Sequence, residues 1–195
     1  MTTPSFLIRF PLQAALYDGE QVTIRSLQPG DKDELLSFFL RVPEEDRFYL
    51  NSDVGSAEVI AEFAEHIDLE QTIPLVAVSG NRILADATLH RSRRAARRHV
   101  GEIRVVVEPE YRRRGLGVRL IHELIQLGRD LDLHSLVFEL VSGHQQDAIQ
   151  AALGAGFEQV AELRGRILDI QGSPQDLIIL ERPLNVAPEL GHLDI

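Results

Sequence analysis

With 195 residues of which 44% are hydrophobic, the chain can bury one sizeable core, and a single domain is the default expectation. A formal net charge of −10 argues against a general nucleic-acid or anionic-membrane binder, so neither class of partner is expected. The absence of cysteine excludes a disulfide framework, a cysteine-based zinc site and a cysteine acyl-enzyme; the seven histidines make no metal-ligand spacing, so no metal is expected either. No internal repeat or low-complexity stretch interrupts the chain. Its start lacks a basic region followed by a long apolar run, and no segment reaches transmembrane length, which points to the cytoplasm.

In chain order, residues 6–10 and 21–27 read as strands around the hairpin-type turn Asp18-Gly19. An N-terminal strand extension over 1–20 would then precede a core over 20–184. Pro29-Gly30-Asp31 leads into a helix with Leu35, Leu36, Phe38, Phe39 and Leu40 on its apolar face, and Asp31 or Asp33 suits its N-terminus. A second helical piece begins at Pro43-Glu44-Glu45-Asp46-Arg47. A third, over 57–67, carries Val59, Ile60, Phe63 and Ile67 on one side and Glu58, Glu62 and Glu65 on the other. Those acids make a solvated helix face or, in a sharper reading, an acidic rim for a cationic acceptor. Strands over 73–79 and 82–89 are joined by Gly80-Asn81. The link after them, Arg91 to Arg98, holds five arginines, which suit a solvated loop or a grip on phosphate.

The central stretch is the most informative. A β-branched run, Ile103 to Val107, is stopped by Pro109 and followed by a basic turn with Gly115 and Gly117. Leu116, Leu120, Leu124, Leu127 and Leu131 then recur at helical spacing, giving strand, loop and helix. Without side chains at the two glycines, a ligand can approach the main chain where free N–H groups and the positive helix end converge, so an anion fits there. Arg112, Arg113 and Arg114 can add charge-assisted bonds to phosphate oxygens; the plainer reading is a basic turn capping a helix. A Walker loop would need Lys-Ser/Thr after its second glycine, and a dinucleotide fingerprint would need a glycine where Leu120 stands.

Beyond it come a strand over 135–141, a helix over 145–154 and a closing hairpin, 159–163 with 176–181, around Gly172-Ser173-Pro174. One domain spans residues 1–184, and 185–195 form a tail.

Arg112-x-x-Gly115-x-Gly117 after Val107-x-Pro109 resembles the pyrophosphate-binding motif of the GNAT (GCN5-related N-acetyltransferase) superfamily, in its single-domain bacterial form. The element order over 20–184, Gly156-Phe157 at the end of the second core helix, Ala148-Ile149 within it and Ile170 to Leu180 near the end add to the resemblance. It implies an α/β (α+β) GNAT fold, a mixed central sheet splayed at the cofactor slot with helices on both faces. It implies further that the main chain of Val105, Val106 and Val107 contacts pantetheine, and that Arg112, Arg113, Arg114, Gly115, Leu116, Gly117 and Val118 surround the diphosphate of acetyl-CoA.

The implied activity is acyl-CoA-dependent N-acyl transfer, with acetyl-CoA as cosubstrate and a primary amine as acceptor. In the absence of cysteine, the amine would attack directly in a ternary complex. Glu102 and Glu139 stand where different members place a glutamate base. The chain departs from the pattern at Ala152, where many members have a tyrosine that protonates the departing thiolate; Ser142, His144 or water would have to serve. That departure motivates an alternative, a non-catalytic CoA or acyl-CoA sensor. A homodimer is common among members.

Overall fold

The computed structural model describes residues 4–50 and 52–184. Eight strands form one sheet: β1 (Leu12–Ala15), β2 (Gln21–Ser26), β3 (Thr72–Ser79), β4 (Arg82–Arg91), β5 (Val100–Val107), β6 (Ser135–Val141), β7 (Glu158–Leu168) and β8 (Pro174–Pro183). Their order is β1-β2-β3-β4-β5-β6-β8-β7, and every neighbouring pair is antiparallel except β5–β6. Five helices accompany them among the described residues: α1 (Lys32–Arg41), α2 (Glu44–Arg47), α3 (Ala57–Glu65), α4 (Leu116–Asp130) and α5 (Gln146–Gly154). This is the mixed sheet with helices on both faces that the family resemblance implies.

Apolar patterning places the helices. The leucine repeat of α4 puts Leu116, Leu120, Leu124 and Leu127 wholly inside, against Leu89, Ile103 and Leu136 of the sheet. Ile149 and Ala152 of α5 join the same cluster. On the opposite face, Leu35 and Phe38 of α1 and Ile60 and Ala64 of α3 pack on Val76, Val78 and Ile83. Each fully buried Leu or Phe contributes about 1.5–3 kcal/mol relative to exposure, so both helix layers are anchored by apolar burial.

Several expectations are corrected. Residues 6–10 are not a strand; Ser5–Leu7 form a short 3-10 turn, and β1 begins only after Pro11. Proline fixes φ and lacks a donor, so Pro4 and Pro11 confine the ladder to Leu12–Ala15, which pairs with β2 around Asp18-Gly19. Leu40 lies off the buried stripe of α1 and is exposed. The third helix stops at Glu65. The closing hairpin is longer than its apolar residues suggest, because the ladder continues through polar positions; its register shifts between Leu163 and Ile167, where Gly165 N–H donates to Asp176 Oδ1 at 2.8 Å. The tail over 185–195 lies outside the described residues.

One buried polar contact fixes the end of β5. The Glu108 carboxylate is almost fully buried directly after the strand. Arg41 Nε of α1 donates to it at 3.0 Å, and Arg82 of β4 donates to the same oxygen. Arg41 also donates to Glu34 at 3.0 Å and to the Ile83 carbonyl at 2.8 Å, joining helix and sheet at that corner. Arg41→Ala should therefore lower stability by about 1–2 kcal/mol, since the buried carboxylate keeps Arg82 but loses its second charged donor, measurable as a lower urea midpoint with unchanged slope.

Candidate active site

β5 and β6 pair over three rungs only, Val100↔Ser135, Gly101↔Leu136 and Glu102↔Val137. Beyond Glu102 each strand stays with its other neighbour: β5 follows β4 as far as Ala85↔Val107, and β6 follows β8 as far as Val141↔Leu177. The facing edges of 103–107 and 138–141 therefore separate. Between them lies a cleft of about 730 Å³ whose walls include Val105, Val106 and Val107 on one side and Phe138 to Val141 on the other.

The turn between β5 and α4 closes one end. Arg113 (φ 57) and Gly115 (φ 88) both take the left-handed conformation, so the chain bends sharply just before α4. For an arginine this conformation is uncommon, and it leaves backbone strain at the turn. Gly115 is required twice over: its φ suits glycine, and a Cβ there would stand 2.6 Å from the Tyr17 ring. Gly117, in the first turn of α4, lines the cleft, and a Cβ would meet only Val107 at 3.6 Å. The first N–H groups of α4 have no intrahelical acceptor, so this end carries donors and partial positive charge.

The three arginines expected to hold phosphate divide. Arg112 is engaged, its Nε donating to the Val107 carbonyl at 3.0 Å and its Nη2 to Asp46 at 2.6 Å. Arg114 turns away to the N-terminal hairpin, donating to Asp18 and Glu20 at 2.6 Å each, and is absent from the cleft wall. Arg113 alone of the three is largely in solvent, 3.8 Å from the exposed Asp147. Leu116 is fully buried, so only its main chain can face a ligand; Val118 lines the cleft. The arginine-dense link has no residue in the cleft wall and lies beyond the other end of β5, which disfavours a grip on the same ligand.

Glu102 and Glu139 line the same cleft. Glu102 sits on the last paired rung, where its Oε1 accepts from Arg104 Nη2 at 2.6 Å and Nε at 3.2 Å. Glu139 lies two residues beyond that rung on β6, exposed on the same face. Beside Glu102, a polar row continues into β4: His90 pairs with Glu102, Thr88 with Arg104 and Asp86 with Val106. His90 Nε2 lies 3.2 Å from Thr88 Oγ1, and its Nδ1 3.3 Å from Thr72 Oγ1. Burial pushes His90 down to about 4 and Asp86 up to about 7, with the nearby Arg104 partly opposing the Asp86 shift.

Of the far wall, the sequence marked only His144 as a candidate. Phe48, Tyr49 and Leu50, after α2, face His144 after β6 and Ile167 of β7 across the opening. The Tyr49 and His144 rings lie 5.4 Å apart. Burial, then the charges of Asp169, Asp46 and Glu45, hold the Tyr49 phenol above its ordinary value, so it keeps its proton at neutral pH. The adjacent aromatics Phe48-Tyr49 after an acidic run were the available signal. Ser142 does not line the cleft, and Ala152 is buried within α5's packing face.

The model of the acetyltransferase (GNAT) family matches residues 36–157, more than half of the chain, which takes in the splay, the turn and both flanking helices. The chain belongs to this family. The GNAT assignment has parallels among solved structures. The GNAT domain of PAT from S. lividans is 20% identical with a TM-score of 0.75, covering 94% of this chain and 100% of that one. A Salmonella typhimurium protein described as an acetyltransferase, solved with its cofactor acetyl-CoA, is 19% identical at a TM-score of 0.72, covering 86% and 96%. Ribosomal-protein-alanine N-acetyltransferase from Brucella melitensis is 23% identical at 0.69, covering 83% and 99%. At such identities the likeness is one of fold. No curated protein matches significantly in sequence. No helix among the described residues of this GNAT domain is long and apolar enough to cross a membrane.

The two perturbed groups of the polar row oppose each other in pH dependence. His90 is kept neutral, so its burial penalises the fold at low pH, and stability rises as pH climbs from about 4 toward the free-histidine value of about 6.5. Asp86 is kept protonated, so stability falls as pH rises from the free-aspartate value of about 4 to about 7. Asp86→Asn removes the falling component. The variant should gain stability between pH 4.5 and 7 more steeply than the wild type in urea titrations.

Proposed function

We propose that this protein is an acyl-CoA-dependent N-acyltransferase that transfers an acetyl group from acetyl-CoA to a primary amine by direct attack in a ternary complex, working in the cytoplasm. The observation that carries the proposal is the cleft itself: a strand pair that parts after Glu102 and opens toward a turn of main-chain donors at Gly115 and Gly117. The residues present fit the ligand. The edges of Val105, Val106 and Val107 can hydrogen-bond an extended amide-bearing arm as another strand would, and the left-handed turn, Gly117 and Val118 suit a diphosphate.

Bound acetyl-CoA would supply the activated thioester. The chain's own task is to bring a neutral amine to it. An amine is largely an ammonium at neutral pH, so its proton must first pass to a base. Glu102 is our choice: it stands where the strands part, fixed by Arg104, and an arriving ammonium can share and then give its proton to the carboxylate. Glu139, opposite on β6 and exposed, is the reserve base or the anchor for the incoming cation. Phe48, Tyr49 and His144 shelter the site from water, and Tyr49, which retains its proton, offers a donor where α5 supplies no hydroxyl.

One observation favours a second reading, a non-catalytic CoA or acyl-CoA sensor. The usual tyrosine position is a buried alanine, Ala152, and α5 turns Gln146, Asp147, Ala148, Gln150 and Ala151 to the cleft. Turnover separates the two. Gly117→Trp should abolish acetyl-CoA binding in calorimetry, a loss above about 100-fold, because the indole would fill the space before the turn. Glu102→Gln should leave acetyl-CoA affinity unchanged and lower kcat by about 100-fold or more in an amine-acceptor screen that detects CoA release. Tight binding with no turnover on any amine would establish the sensor; unchanged kcat would remove Glu102 from the mechanism.

A further inference from the structure

The N-terminal hairpin is fastened to the left-handed turn. Tyr17 N–H donates to the Arg114 carbonyl at 3.0 Å, while the Arg114 guanidinium is held by Asp18 and Glu20. Tyr111 completes the clasp: its ring lies 4.5 Å under the Arg114 guanidinium and its hydroxyl donates to Glu20 at 3.3 Å. These contacts use Tyr111 fully. Tyr17 is different. Its ring rests against Gly115 and forms part of the cleft wall, yet 78% of the residue remains exposed. A large aromatic ring thus touches the turn on one side, with its remaining surface open to whatever lies beside the turn.

We propose that Tyr17 is the stacking platform for the adenine ring of the CoA nucleotide, with the solvent-facing Arg113 as the cation for that nucleotide's phosphates. This rests on the acetyl-CoA reading above. If the diphosphate sits at Gly115 and Gly117 and the pantetheine arm runs inward along β5, the adenosine must emerge on the outer side of the turn. Tyr17 is the aromatic side chain fixed on Gly115 there, and Arg113 is the one of the three turn arginines not committed to a close carboxylate or carbonyl. Purine rings stack on aromatic faces without requiring hydrogen-bond readout, which suits a platform presented by a hairpin turn. The residue lies on the N-terminal hairpin, before the family-matched range of 36–157.

The test is calorimetry on the full chain with two probes, acetyl-CoA and 4′-phosphopantetheine, which lacks the acetyl group and the whole 3′-phospho-AMP portion, adenine included. Tyr17→Ala should weaken acetyl-CoA about tenfold, Tyr17→Phe should retain wild-type affinity, and all three proteins should bind 4′-phosphopantetheine equally. Equal affinity of Tyr17→Ala and wild type for acetyl-CoA would overturn the stacking role. An equal loss for both probes would overturn it as well, since Tyr17 would then merely support the turn. Failure of the wild type to bind acetyl-CoA would instead overturn the functional reading on which this rests.

Discussion

The structure depends on a limit to strand pairing. Among the described residues β5 and β6 are the one parallel pair in the sheet, and they share three rungs before each is claimed by an antiparallel neighbour, β4 or β8. Backbone N–H and C=O groups inside a fold must find partners or water, so two parted strands leave a row of donors and acceptors that an extended ligand can satisfy. The slot is not a defect in packing. Leu116, Leu120 and Leu124 press α4 onto the inner face of the sheet, and Phe138 meets Phe157 on the same side, so the strands are held apart by well-packed neighbours.

Charge supports that arrangement more than it furnishes the site. The chain carries a cluster of arginines around the turn, but carboxylates from distant segments claim most of them: Asp46 takes Arg112, Asp18 and Glu20 take Arg114, and Glu108 takes Arg41 and Arg82. The first two fix the turn's conformation, including the strained Arg113, between α2 and the N-terminal hairpin. Glu108 ties the end of β5 to α1. Positive charge for a ligand is left to Arg113 and to the N–H groups of α4, while the opposite end of the cleft carries Glu102 and Glu139. The cleft is therefore polar in the electrical sense, cationic where a diphosphate would lie and anionic where an ammonium would arrive.

Much of the fold was legible in the sequence because it rests on local periodicity. The β-branching of 103–107, the leucine spacing of α4 and the apolar run of β6 each specify one element, while the topology came from the resemblance of their succession to the GNAT fold. The turn was legible too, since Gly115 stands where the backbone must bend into α4. The far wall was not. Phe48-Tyr49 and His144 come from two connections widely separated in the chain, and although the paired aromatics and the candidate donor His144 stand out locally, nothing local says that they meet across the cleft. The fate of the arginines was hidden for the same reason: Asp18, Glu20 and Asp46 read as turn and helix-start acids until the fold brings them to Arg114 and Arg112. Prolines 4 and 11 misled in the other direction, because the apolar residues between them suggest a strand that the backbone cannot extend.

Hydrogen exchange followed by mass spectrometry, with and without acetyl-CoA, tests the central claim most directly. The account predicts slowed exchange confined to segments covering 103–107 and 113–118, the parted edge of β5 and the turn that opens α4. Unchanged exchange in both segments at saturating acetyl-CoA, or protection centred instead on the arginine-dense link at 91–98, would contradict it.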